Sequence, residues 1–137
     1  MTDLPDNRLL AVFAPFPRFA LDAPRTALVV ADDVVFSKVS SSPFNSTAID
    51  RFLRNLEIDT LLLCGVVTNG CVEGTVRDAS DLGYQVVMIE DACAAVTPAL
   101  HQAAITNLED AFCNVRCTDD VLAELNGLAA SVRTTKE

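Results

Sequence analysis

The residues of this chain best suited to chemistry are Thr68-Asn69-Gly70-Cys71, which directly follow the apolar run TLLLCGVV at 60–67. A continuous apolar run is typical of a strand buried on both faces of a parallel sheet, and ligands bind beyond the carboxyl ends of such strands. The spacing puts Cys71 in the first turn of the next helix, where unpaired N–H groups and the helix dipole stabilise a thiolate and can hold an oxyanion. Gly70 leaves room for a substrate. We therefore predict that Cys71 is a nucleophile.

The remaining cysteines are predicted to be structural. Cys64 lies inside the apolar run, where a cysteine is most often a small buried hydrophobe. Cys93, Cys113 and Cys117 have no comparable position between a strand and a helix. The pair at 113 and 117 offers a metal site together with His101 as an alternative, but its spacing is not that of a zinc pair, so no metal is predicted. His101, the sole histidine, is predicted to pack or to form a hydrogen bond.

Two segments carry a family resemblance. GVVTNGCVEGTVRDASDLGYQVVMIEDACA, at 65–94, closely resembles the signature of the isochorismatase-like cysteine hydrolases, the superfamily that includes nicotinamidase, N-carbamoylsarcosine amidase, ureidoacrylate amidohydrolase and biuret hydrolase. DDVVFSKVSSSPFNSTAIDRFLR, at 32–54, is similar to the segment that carries the catalytic lysine of this family. The resemblance runs from about residue 26 to about residue 125. It implies a three-layer αβα sandwich.

The resemblance also implies a catalytic triad. Cys71 would be the nucleophile, and Lys38 would help to activate its thiol. From the residues alone, a lysine after a strand is more simply a solvated end of that strand. The third member of the family triad is an aspartate at the end of the first strand, which acts as general acid and base. Asp32 is the candidate here, with Asp33 as the second choice.

A further feature implied by the resemblance is a cis peptide bond that does not involve proline. It would lie between Val66 and Val67. In the family, this bond aims two backbone N–H groups, here those of Val67 and Cys71, at the oxyanion. Non-proline cis bonds are rare because each costs roughly 3–4 kcal/mol.

The implied reaction is hydrolysis of a C–N bond in a small amide, ureido or carbamoyl substrate, through a thioester and without a cofactor. Isochorismatases proper, which cleave a vinyl ether, lack the cysteine in this family, so Cys71 favours C–N hydrolysis. The alternative is a shortened homologue, weakly active or inactive, that acts through association in an oligomer.

The elements that must position these residues alternate along the chain. Strands are predicted at 26–36, 60–67, 84–91 and 114–118, and helices at 47–56, 71–83, 98–112 and 119–130. This alternation predicts an α/β fold with a mainly parallel sheet covered on both faces. We expect an irregular arm at 1–25, one hydrolase domain at 26–130 and a frayed tail at 131–137. The helix at 98–112 should bury an apolar stripe formed by Ala99, Ala103, Leu108 and Phe112.

The match to the family is incomplete around residue 32. ALVVAD at 27–32 resembles the first strand of the family, yet VVFSK at 34–38 follows at once, and parallel neighbours need a crossover of roughly a dozen residues. In one extended strand, Asp32 and Lys38 would lie about 20 Å apart. Only a bend at Asp32 and Asp33 would bring them together. The shortened N-terminal half should also leave sheet edges uncovered, which favours a homo-oligomer.

Composition excludes several other classes of protein. The chain has 137 residues, half of them apolar, with 19 acidic and 10 basic side chains. This is enough for a single globular core, and no apolar stretch is long enough to span a membrane. The net charge of −9 repels nucleic acid and anionic lipid. Five cysteines, an odd number, and the absence of a signal-like N-terminus predict a cytoplasmic protein.

Overall fold

The computed structural model describes residues 9–14 and 34–134, with side chains from 34 to 128. Strands and helices alternate in these residues, as the sequence pattern predicts. In chain order they are β1 (Leu9–Ala14), α1 (Ile49–Asn55), β2 (Thr60–Val66), α2 (Glu73–Asp81), β3 (Gln85–Ala94), α3 (Pro98–Ala111), β4 (Asn114–Arg116) and α4 (Thr118–Thr134).

The described strands form one parallel sheet in the order β1-β2-β3-β4. Thr60 at the start of β2 lies between Leu9 of β1 and Gln85 of β3. The register between β2 and β3 shifts at Leu63 and Gly65, just before the end of β2. The prediction of an α/β fold with a mainly parallel sheet is therefore confirmed.

Helices cover both faces of this sheet. On the first face, alternate residues of β2 and β3 pack with α1, α2 and α3 around the fully buried Leu53, Val76 and Leu108. On the second face, the intervening strand residues pack with Val121 of α4. The strand residues of the first core are Leu61, Leu63, Val86 and Met88, and those of the second core are Leu62, Val87 and Ile89. This arrangement is the expected three-layer sandwich.

The structure corrects the predicted elements near the chain ends. Leu9–Ala14 is a strand of the sheet, so the prediction of an irregular arm is wrong for these residues. In the predicted strand at 26–36, residues 26–33 lie outside the described part of the chain, and residues 34–36 belong to no strand. The last helix continues to Thr134, into the predicted frayed tail.

The buried face of α3 also differs from the predicted stripe. Ala104, Ile105 and Leu108 are buried, whereas Ala99 and Ala103 are exposed. Alanine gives little preference between core and surface, so a helix rich in alanine fits two faces almost equally well by period. The aliphatic side chains of Ile105 and Leu108, which bury the larger apolar area, set the orientation.

Candidate active site

Cys71 lies in a tight turn between β2 and α2. β2 ends at Val66, and a π-helical turn over Thr68–Val72 leads into α2. The Val67 carbonyl accepts hydrogen bonds from the N–H groups of Gly70 (3.0 Å) and Val72 (3.3 Å). Cys71 is buried, with only 4% of its surface exposed. The thiol therefore belongs to a backbone segment that is closed at the start of a helix, where unpaired N–H groups favour negative charge.

The peptide bond between Val66 and Val67 is cis. This is the bond for which the family resemblance implied a cis geometry. Val67 follows it in an extended conformation and immediately precedes the π-helical turn. The two backbone groups predicted to hold an oxyanion, those of Val67 and Cys71, thus belong to one short segment.

Glycine is required at position 70 because the side chain of Val67 leaves no room for a Cβ atom. A Cβ atom at this position would lie 2.9 Å from the Cγ2 atom of Val67, closer than real Cβ contacts come. The valine side chain is stiff because it branches at Cβ, so it cannot readily move aside. The sequence predicts that this glycine leaves room for a substrate, whereas the contact in the structure is with Val67.

Two buried threonines hold the turn, and the sequence predicts no hydrogen-bond partner for either of them. Thr75 Oγ1 donates a hydrogen bond of 2.6 Å to the carbonyl oxygen of Cys71. Thr68 Oγ1 is hydrogen-bonded at 2.8 Å to Nδ1 of His101, on α3. The prediction that His101 packs or forms a hydrogen bond is therefore confirmed. Both threonines are at most 1% exposed, but their partners become neighbours only in the folded chain.

The Lys38 ammonium lies against two backbone carbonyls. Nζ donates hydrogen bonds of 2.9 Å to the oxygens of Ser40 and Ser41. A short 3₁₀ turn at Pro43–Asn45 follows, capped by the Ser42 hydroxyl, which accepts from the N–H of Phe44. The lysine is half-buried.

The loop that contains Lys38 packs against the first turn of α2. Ser41 and Ser42 flank Gly74, three residues beyond Cys71, since a Cβ on Gly74 would lie 3.8 Å and 4.0 Å from their Cβ atoms. Asn45 Nδ2 also donates a 2.6 Å hydrogen bond to Asp78 Oδ2, one turn farther along α2. The structure therefore brings the lysine loop to the helix end that holds the cysteine.

The candidate acid lies outside the described residues. Asp32 and its alternative Asp33 precede residue 34, where the described part of the chain resumes. Their role stays a prediction.

The other cysteines have surroundings that suit structural thiols. All five cysteines of the chain are free. Burial raises the pKa of the Cys64 thiol, that of Cys93 to about 12 and that of Cys113 to about 11. A thiol with a raised pKa is protonated at neutral pH and reacts slowly. Cys117 is half-buried.

Two kinds of feature are absent from the described residues. Among them, no group of three or more histidine, cysteine, aspartate or glutamate side chains is arranged to hold a metal ion. Within the same residues, no helix combines the length and apolar character needed to cross a membrane.

Comparison with known proteins assigns the family. The sequence model of the isochorismatase domain matches residues 11–120, which include the turn, the lysine loop and the strands beside them. The chain belongs to the isochorismatase family. The resemblance seen in the motifs is therefore confirmed.

The isochorismatase family relatives are matched in part of their length. The chain is 36% identical over 93 residues to the isochorismatase family protein YecD of Escherichia coli, which is 68% of this chain and 50% of that protein. It is 39% identical over 83 residues to the ureidoacrylate amidohydrolase RutB of Acinetobacter baylyi, which is 60% of this chain and 34% of RutB. The chain thus spans half or less of the length of these two relatives.

A solved structure shares the fold of this chain. The crystal structure of a cysteine hydrolase from Pseudomonas syringae superposes with a TM-score of 0.72 at 29% identity. The alignment covers 78% of this chain and 55% of that protein. The sandwich found here is thus the fold of this cysteine hydrolase, over the part that aligns.

Proposed function

We propose that the chain is a hydrolase that cleaves the C–N bond of a small amide, ureido or carbamoyl substrate. The observation that carries the proposal is the buried Cys71 in its turn at the start of α2, with the lysine loop packed against the same helix end. The similarity to an ureidoacrylate amidohydrolase and to a cysteine hydrolase supports this class of reaction.

In the proposed first step, the Cys71 thiolate attacks the carbonyl carbon of the substrate. The resulting oxyanion accepts hydrogen bonds from the N–H groups of Val67 and Cys71. Because both groups belong to one short turn, they need no large rearrangement to meet the oxyanion. The Lys38 ammonium stabilises the thiolate and the negative charge that develops near it. Both roles follow from the family resemblance.

In the second half of the reaction, the C–N bond breaks as Asp32 protonates the leaving nitrogen, and a thioester to Cys71 remains. Asp32, now a carboxylate, takes a proton from water, and the hydroxide so formed attacks the thioester carbon. The thiolate leaves, the acid product is released and the site returns to its starting state.

The test is an assay of ammonia release from a panel of small amides, ureides and carbamoyl compounds. We expect turnover of at least one class by the full chain, and a loss of about a thousandfold or more in Cys71→Ala. Lys38→Met should also lose most of the rate. Cys117→Ala is the matched control, because it removes a half-buried thiol elsewhere in the fold, and it should keep the rate.

The outcome that contradicts this proposal is a folded chain that turns over none of the panel. That result would favour the alternative, a weakly active or inactive homologue that acts through association.

Self-association and a cytoplasmic location stay predictions. Exposed apolar residues such as Val39, at 95% exposure, and Val35, at 67%, are consistent with a partner surface, and light scattering of the purified chain measures its mass.

A further inference from the structure

The hydrogen bond between Thr68 and His101 joins two elements that are 33 residues apart in the chain. Thr68 is fully buried, so its hydroxyl depends on a protein partner, since a buried hydroxyl without one is strongly destabilising. His101 belongs to the first turn of α3, where its own N–H donates to the Thr97 carbonyl at 3.1 Å. The first turn of α3 thus places the imidazole beside the turn that contains Cys71.

The position of Thr68 connects this hydrogen bond to the turn that contains Cys71. Thr68 is the first residue of the π-helical turn, directly after Val67 and three residues before Cys71. At the far side of the turn, the Cys71 carbonyl is held by Thr75, which belongs to α2 itself. Of these two side-chain bonds, the one from His101 comes from a separate helix, so it fixes the turn relative to the rest of the fold.

We propose that His101 is a positioning residue for Cys71. Through the Thr68 hydroxyl it holds the turn in the geometry that presents the Cys71 thiol, and it does not itself touch the substrate. Its effect on turnover rests on the proposed hydrolase function, whereas its effect on thiol reactivity does not.

The chemistry of the pair suggests which substitutions separate a positioning role from simple packing. A neutral imidazole nitrogen donates or accepts according to its tautomer, and a threonine hydroxyl does either. Asparagine offers both a donor and an acceptor near the position of Nδ1, while leucine fills similar space with no polar atom. Thr68→Val removes only the hydroxyl and keeps the branched shape.

The experiment measures the alkylation rate of each cysteine in the folded chain with iodoacetamide, by mass spectrometry of peptides. His101→Leu should slow alkylation of Cys71 by about tenfold, with the rate at Cys117 unchanged. His101→Asn should recover most of the loss. Thr106→Val is the matched control, because it removes another threonine hydroxyl of α3, one that bonds the Gln102 carbonyl on the exposed side, and it should leave Cys71 unchanged.

The double variant Thr68→Val with His101→Leu tests the proposed path directly. If His101 acts through Thr68, the double variant alkylates at Cys71 no more slowly than Thr68→Val alone. Multiplied effects of the two changes would overturn the proposal. So would an unchanged rate in His101→Leu, or a rise in rate at Cys64, Cys93 and Cys113 together, which is the signature of general unfolding.

Turnover separates this proposal from the proposed function. If the wild-type chain releases ammonia, His101→Leu should lower kcat by about tenfold and change KM by less than about twofold. A large change in KM alone would contradict positioning and indicate a contact with substrate. If the wild-type chain has no turnover, the proposed function fails, and the alkylation rates alone still decide whether His101 positions Cys71.

Discussion

The glycines around Cys71 show how closely single residues are fitted at this site. Gly70 lies against the side chain of Val67, whereas Gly74, one helical turn later, has room for a methyl group beside Ser41. The sequence predicts that Gly70 leaves room for a substrate and makes no prediction for Gly74. Only the packing shows that the first has no space for a Cβ atom and that the second has space.

We therefore predict opposite effects for the same substitution at these two positions. Gly70→Ala should lower the free energy of unfolding by about 1–3 kcal/mol, because Val67 must shift, and should slow alkylation of Cys71. Gly74→Ala should raise it by up to about 1 kcal/mol, because alanine favours a helix over glycine and its methyl makes an ordinary contact. Urea unfolding of both variants measures the difference. Equal effects would contradict the packing described here.

At the scale of elements, the starts of the last two helices are fixed by one side chain within strand β3 and one that follows it. The Thr97 hydroxyl accepts from the Leu100 N–H and caps α3. Asp91 Oδ1 accepts 2.8 Å hydrogen bonds from both the N–H and the hydroxyl of Thr118, the first residue of α4. These two donors from Thr118, the hydroxyl above all, hold the pKa of the Asp91 carboxyl below its usual value of 3.8.

Because the folded-state pKa of Asp91 is lowered, its stabilising effect is present above the unfolded value near 4 and is lost as the pH falls through the folded value. We expect Asp91→Asn to lower the melting temperature at pH 7, and this difference from the wild type to shrink below about pH 4. Thermal unfolding across a pH series measures it. Asp110→Asn, at an exposed position of α3, is the control. A deficit for Asp91→Asn that stays constant down to pH 2 would contradict the cap.

The elements from β2 onward could be predicted because each has a strong local signal. The apolar run of β2, Gly83 with its positive φ of 91° just after α2, and Pro98 in the first turn of α3 all act locally. β1 could not be predicted in the same way, because its six residues are flanked by prolines and gain their pairing only from β2. The π-helical turn has no periodic signal at all.

For the candidate site, the sequence could identify residue types and the resemblance could assign roles. The sequence could not show which other residues these residues contact in the folded chain. The bond from Thr68 to His101, the contact of Gly70 with Val67 and the packing of Ser41 on Gly74 each join residues through the tertiary fold. A single sequence contains no measure of such proximity.

At the scale of the whole molecule, the sheet separates the site from the second core. The turn with Cys71, the lysine loop and His101 belong to segments that pack with α1, α2 and α3 on the first face. The second face is covered by α4 through a smaller group of buried residues that centres on Val121. The two faces share strands β2 and β3, so both contribute to stability, and the candidate site residues that the structure describes belong to the first face.

Removing apolar volume from the second face should therefore lower stability without changing the site. Val121→Ala, at a side chain that is 4% exposed, should lower the free energy of unfolding by about 2 kcal/mol through lost burial and a small cavity. Leu122→Ala is the matched control, because the adjacent Leu122 is 51% exposed and its truncation should cost less than about 0.5 kcal/mol. Urea unfolding measures both values.

In the same samples, under conditions where each variant stays folded, iodoacetamide should alkylate Cys71 at the wild-type rate. A Cys71 rate that changes in Val121→Ala but not in Leu122→Ala would show that the second face is coupled to the turn, which contradicts the separation by the sheet.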